Sequence, residues 1–223
     1  MKVDLLNTDE FVKINNLSEV TSPILFQRGG IPHSEGLISN EIFGINTRDR
    51  RNTYAYIPLH AHYFHPHVYK AIRRMFRNID KIINGEKYFK IDKDGRLVED
   101  GLGETGLNFI YNNWKKINWK KYDDVESDGM RAERERLLSS LISEIFTDKQ
   151  IVIPAFYRDI KTEDGNNGGE TDNINNLYIR LIRLSSTVKE QAMFDFQFNS
   201  TNYVSQTTLV EIYDHFKNKL EKK

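Results

Sequence analysis

Four histidines fall within eight residues, His60, His62, His65 and His67, in the run IPLHAHYFHPHVY. Neutral imidazole is the commonest zinc ligand, and on an extended strand His60 and His62 would share one face at chelating distance. A catalytic zinc ordinarily takes three protein ligands with a second shell, yet no carboxylate lies between Ile57 and Ile72. The competing reading is structural: strand and turn residues around Pro66, with one ring buried against the helix that follows. Acidic residues offer two lookalikes. DKDG at 92–95 has the look of a calcium loop, but its position-1 residue is Lys90 and its position-12 residue is Gly101, which leaves a hairpin turn. Asp123, Asp124, Glu126 and Asp128 have no histidine partner and read as a solvated linker. No phosphate-cradling glycine loop, nucleophile elbow or pair of carboxylates in an apolar setting is present, so the sequence holds no complete active site and no catalytic residue is assigned.

Basic residues say more. Between Gly44 and Asn78, Arg48, Arg50, Arg51, Lys70, Arg73, Arg74 and Arg77 stand against Asp49 alone; seven positive charges and one negative give a local charge of +6. That density suits contact with phosphate, and Lys115, Lys116, Lys120 and Lys121 beside Trp114 and Trp119 would add to it. The alternative is a basic helix face that is merely solvated. Over the whole chain 32 Lys and Arg balance 32 Asp and Glu, so no global field draws in nucleic acid and any such role rests on local patches.

The 223 residues are enough for one large domain or two small ones. Zero cysteines exclude disulfides, thiolate zinc sites, iron–sulfur clusters and a cysteine nucleophile. Hydrophobic residues at 39%, charged residues at 29% and a mean hydropathy of -0.60 describe a polar, foldable chain. Nowhere do ~18 apolar residues run together, and MKVDLLNTDE lacks the apolar centre of a signal peptide, so a cytoplasmic protein without a membrane partner is expected.

To position these residues the chain needs a mixed α+β body. The first 65 residues read as loops and short strands broken by Gly29, Gly30, Pro32, Gly36 and Gly44. Val68, Ile72, Met75, Ile79, Ile82 and Ile83 predict one helix over 68–83. A hairpin is predicted over 87–98 with its turn at 92–95, and a helix over 104–116. Another helix over 130–146 should bury Leu137, Leu138, Leu141, Ile142 and Ile145, and a short strand is predicted over 150–154. EDGNNGGE, within 162–172, reads as an exposed loop. Ile174, Leu177, Leu181, Leu184 and Val188 step by three and four, as do Leu209, Ile212, Phe216 and Leu220. Two such arms joined by a tip at 193–203 predict an antiparallel coiled-coil hairpin projecting from the body.

Five segments, in order, resemble the N-terminal part of the largest subunit, β′, of multisubunit DNA-dependent RNA polymerases. SPILFQRGGIPHSEGLISNEIFG at 22–44 is similar to a stretch ending in a GLFxxxIFGP-type motif, and RRNTYAYIPLHAHYFHPHVYKAI at 50–72 to RRxRxGHIxLAxPxxHxWF, with His65 on its second histidine. GETGLNFIYNNWKKINW at 103–119 resembles a GAEAL-type helix start, and the helix from Arg134 to Phe146 sits where the family has a charged helix. IVIPAFYRDI, a Gly-rich loop and TDNINNLYIRLI are similar to VLPPxLRP, the lid loop and SDLNxLYxRVI. This sets Pro154 and Arg158 on the family's proline and arginine, and Asn175, Leu177, Tyr178, Arg180 and Ile182 on its helix motif. The family's antiparallel clamp helices follow.

The resemblance covers about residues 18–221. It implies a clamp body over 1–150, a strand and lid-like loop over 151–172, and a clamp-helix hairpin over 173–221. Only nine residues separate Gly44 from Tyr54, where cellular relatives carry a cysteine-rich zinc module, and the Asp-rich magnesium loop has no counterpart, so no cofactor is expected in this chain and magnesium belongs to a partner catalytic subunit. What is implied is a non-catalytic piece of a nucleotidyltransferase complex: part of a split β′ subunit, as in giant bacteriophages, or a shortened piece of one. It would work in the host cytoplasm or be packaged in a virion. Arg48, Arg50, Arg51, Arg73, Arg74, Arg77, Arg158 and Lys161 would touch DNA or RNA backbone. Asn175, Tyr178, Arg180, Arg183, Phe194 and Phe196 would dock a promoter-specificity factor, with Phe198 and Tyr203 completing the aromatic tip. Leu184 and Thr187 replace basic positions that hold the primary sigma factor in cellular relatives, which implies a dedicated factor. The remaining β′ and β parts would be partners. Two other classes stay open: a freestanding nucleic-acid-binding or interaction protein, and a hydrolase using metal on the histidine cluster.

Overall fold

A computed structural model describes residues 8–76, 78–119, 128–158, 173–192 and 198–221. The expected linker acids Asp123, Asp124 and Glu126 lie outside these, as do Lys120, Lys121, Arg77, Lys161, Phe194 and Phe196 and the loop 162–172. The fold is mixed α+β.

In chain order, helix α1 (Thr8–Ile14) and strand β1 (Ser18–Glu19) precede two short helices, α2 (Asn40–Phe43) and α3 (Thr47–Asn52). Strand β2 (Ala55–Phe64) leads into helices α4 (Pro66–Met75) and α5 (Ile79–Ile83), then the hairpin β3 (Phe89–Ile91) and β4 (Leu97–Glu99). Helix α6 (Gly106–Asn113), helices α7 (Asp128–Ser139) and α8 (Ile142–Ile145), strand β5 (Phe146–Val152) and a single 3-10 turn, Ala155–Tyr157, complete the body. Two long helices, α9 (Asn173–Ala192) and α10 (Asn199–Glu221), follow.

The central strand is β2, parallel to β1 and antiparallel to β5. Its pairing runs from Ala55↔Val152 to Pro58↔Lys149, then resumes at Tyr63↔Thr147. Four residues of β2 therefore face the single Asp148, a bulge that carries His60 in the left-handed region at φ 58. The hairpin turn forms as predicted: Asp92 Oδ1 accepts from the amides of Asp94 and Arg96 at 2.9 and 2.8 Å, and Gly95 supplies φ 79.

Two helices predicted as continuous are broken. The residues expected to be buried over 68–83 are buried, but Phe76 is extended at φ -135 and α5 folds back. Asp80 then accepts from Tyr69 Oη at 2.6 Å and pairs with Arg73 at 2.9 Å. In 130–146 the hydroxyls of Ser139 and Ser140 both donate back to Arg136 O, at 2.8 and 2.9 Å, competing with the helical ladder. Leu141 is left 66% exposed rather than buried, and strand begins at Phe146, four residues earlier than predicted.

The larger correction concerns the final fifty residues. The two arms are antiparallel: Arg180 meets Glu211 at 3.1 Å, each twelve residues from the tip end of its helix. They do not project. Beside the predicted seam, α9 buries Asn175, Tyr178, Ile182 and Ser185, which widens its stripe from a coiled-coil seam to the broad face of a globular helix. Ser185 Oγ donates to Pro58 O, Gln206 closes two bonds with the backbone of Phe64 at 2.9 and 3.0 Å, Tyr63 Oη donates to Asn202 at 2.9 Å, and Lys70 pairs with Asp214. Even the tip end is seated, with Asn199 against the positive-φ glycines Gly85 and Gly106. Ile174, Tyr178, Leu181, Ile182, Leu209 and Ile212 belong to the same core cluster as β2 and α4, and β5 crosses the expected boundary at 150.

Candidate nucleic-acid and partner surfaces

Two residues past β5, Pro154 opens the 3-10 turn, closed by the Arg158 amide donating to Ala155 O at 3.1 Å. This turn throws Phe156 and Tyr157 outward, 41% and 56% exposed, and carries Arg158 inward to 2%. Arg158 donates from Nε to Ile153 O at 2.9 Å, from Nη1 to Asn175 Oδ1 at 2.8 Å and from Nη2 to Leu37 O at 2.6 Å. Its guanidinium lies 5.0 Å from the Phe43 ring centroid and 5.9 Å from that of Tyr178. Tyr178 is fully buried, its hydroxyl donating to Ile151 O at 3.2 Å, and burial pushes its phenol above the ordinary tyrosine range.

Three site expectations are corrected here. Arg158 cannot reach a phosphate, because its donors are spent inside the core, and Asn175 and Tyr178 cannot dock a factor, because neither is exposed. The motif positions are structural staples. No feature of the local sequence marked them so.

The basic residues divide between elements. Asn46 caps α3, accepting from the Asp49 amide at 2.8 Å. Arg48 and Arg51 are exposed on this helix, while Arg50 is half-buried and donates to Gly44 O at 3.2 Å. Arg51 stacks on Phe156, 4.1 Å from the ring centroid. On α4, Arg73 is engaged with Asp80, and Arg74 Nε donates to Lys70 O at 3.3 Å. Arg48, Arg50 and Arg51 share the short helix α3, while Arg73 and Arg74 lie on α4, beyond the ten-residue strand β2. Of the second cluster, Lys120 and Lys121 lie outside the described residues, and Lys116 is exposed. Trp114 and Trp119 are buried, 4.9 Å apart, and Lys115 Nζ caps α7 through Leu138 O and Ser140 O at 2.7 and 2.9 Å.

Arg183 is exposed on the outer side of α9, as is Arg180 with its partner Glu211. Phe198 and Tyr203 are respectively exposed and partly buried.

The histidines disperse. His60 sits in the left-handed region at φ 58 within the β2 bulge, and His62 stacks on Tyr111 at 4.1 Å. His65 and His67 lie 5.9 Å apart, with His65 Nε2 3.3 Å from Ser143 O. His67 Nε2 is buried with no hydrogen-bond partner among the described residues, and burial, then the charges of His65 and Arg136, pull its pKa down to about 4. Among the described residues no three His, Cys, Asp or Glu side chains gather as a metal group. Nor is any described helix long and apolar enough to cross a membrane.

No protein-family model matches the chain, and no curated protein matches it significantly.

Proposed function

We propose that this chain is a clamp-forming, non-catalytic portion of the β′ subunit of a multisubunit DNA-dependent RNA polymerase. It contacts nucleic-acid backbone by Coulomb attraction and offers one helical face to a promoter-specificity factor. The observation that carries this is the meeting of the two segments of most specific resemblance. IVIPAFYR and NINNLYIRLI, separated in sequence, close on one another through Arg158–Asn175 and Tyr178–Ile151. The positions on which the resemblance rests are thus the ones that hold those segments in one fold.

With the hairpin strapped to the body, factor docking falls to its outer side, where Arg180 and Arg183 lie. Phosphate contact falls to α3, through Arg48, Arg50 and Arg51, with Arg74 on the separate α4. Affinity purification from the native source tests the assignment: it should recover the remaining β′ part, the β parts and a specificity factor. The isolated chain should incorporate no nucleotide. Purification with no polymerase subunit, or template-dependent synthesis by the chain alone, overturns it.

A further inference from the structure

The turn Ala155–Tyr157 presents two neighbouring aromatic rings to solvent, in a chain that buries both of its tryptophans. Phe156 and Tyr157 stand perpendicular with centroids 5.4 Å apart. The turn cannot drift, because the next residue is Arg158, pinned at three points in the core. Arg51 lies over Phe156, and Arg48, one turn earlier on α3, shares its side of the helix by the i, i+3 relation. Aromatic faces and a guanidinium plane are thus held within one small area, with a second exposed arginine one helical turn away. Water gains nothing from such rings at a turn, where polar residues are cheaper to expose.

We infer that Phe156 and Tyr157, with Arg48 and Arg51, form a stacking site for single-stranded nucleic acid. Every base has a π-face that stacks on an aromatic ring or a guanidinium, and the arginines take the phosphates between bases. A duplex keeps its base faces occupied within its own stack, so it offers this site only its backbone. Single-stranded RNA and single-stranded DNA share that chemistry. The inference deepens the nucleic-acid half of the function proposed above and rests on it.

Fluorescence anisotropy with the full chain tests it, using labelled oligouridine, labelled oligothymidine and a duplex of equal length. Single strands should bind more tightly than duplex, and the oligouridine and oligothymidine arms identify whether RNA or DNA is the preferred source. Two arginines should give a slope of log affinity on log salt of about -1.4, at about 0.7 per phosphate, and Arg48→Glu with Arg51→Glu should flatten it. Phe156→Ala with Tyr157→Ala should weaken single-strand binding about tenfold or more. If that pair lowers the unfolding midpoint, Phe156→Leu with Tyr157→Leu decides, since leucine keeps apolar volume without a π-face. Undiminished binding by the leucine pair, equal affinity for duplex, or no binding at all overturns the site. Oligonucleotide binding without polymerase companions keeps the site and removes the polymerase assignment; companions without oligonucleotide binding do the reverse.

Discussion

Arg158 Nη1 donates to Asn175 Oδ1 at 2.8 Å, joining the turn after β5 to the first turn of α9 inside the core. The contact decides how the neighbourhood divides its labour. The arginine is structural, and the chemistry available to a ligand moves to the two residues before it. An arginine buried this way is costly to strip of partners, because each carbonyl it satisfies becomes an unpaired buried acceptor.

Arg158→Ala should therefore destabilise the fold by more than about 3 kcal/mol, since three hydrogen bonds from a charged donor disappear together. Asn175 Nδ2 has no partner among the described residues, so the variant would orphan its oxygen as well. Arg158→Lys should fall between, because one ammonium cannot span acceptors at Ile153, Asn175 and Leu37. Denaturant unfolding of the three proteins checks this. A folded Arg158→Ala with an unchanged midpoint would falsify the staple.

Gly85→Ala should weaken the seating of the hairpin tip. Gly85 holds φ 75, where a side chain is strained, and an added Cβ would lie 2.6 Å from Asn199 Nδ2. Backbone strain alone contributes about 1 kcal/mol or more. Faster amide exchange at the start of α10 than in wild type is the expected readout.

Stability should fall as pH falls from about 6.5 to about 4. His67 has its folded pKa lowered to about 4 by burial, and His65 is lowered in the same direction for the same cause. In that window the unfolded chain binds more protons than the folded one, so acid favours unfolding. For a fully buried group the His67 shift would correspond to about 3 kcal/mol; its partial exposure brings that to ~1–2 kcal/mol. His67→Gln should flatten the dependence, measured as unfolding midpoint against pH.

Replacing Arg180 and Arg183 by Glu should reduce promoter-specific initiation more than nonspecific elongation in the reconstituted polymerase. The fold should be nearly untouched, as an exposed pair such as Arg180–Glu211 contributes ~0.2–1 kcal/mol. Equal loss of both activities would count against docking at this face.

The apolar periodicity of the chain was legible: Val68, Ile72, Ile82, Leu137, Leu181 and Leu209 are buried as their spacing predicts. So was the Asp92 turn, because its bonds are local. What escaped depends on contacts distant in sequence. Gln206 lies 142 residues from Phe64, whose backbone it satisfies, and no window of neighbouring residues announces such a partner. The wide stripe of α9 follows from Tyr178 and Ile182, apolar residues beside the seam that a heptad pattern does not count. At the site, the inward turn of Arg158 escaped for the same reason: direction around one 3-10 turn is set by the core it faces.

Strapping at Pro58, Phe64 and Lys70 has a mechanical consequence. A free rod swings on its root like a lever and absorbs a pull by bending; helices tied along their length to β2 and α4 instead hand any load to the whole sheet at once. Whatever grips the outer side of α9 thus holds a rigid handle, and displacing that handle means displacing the entire body.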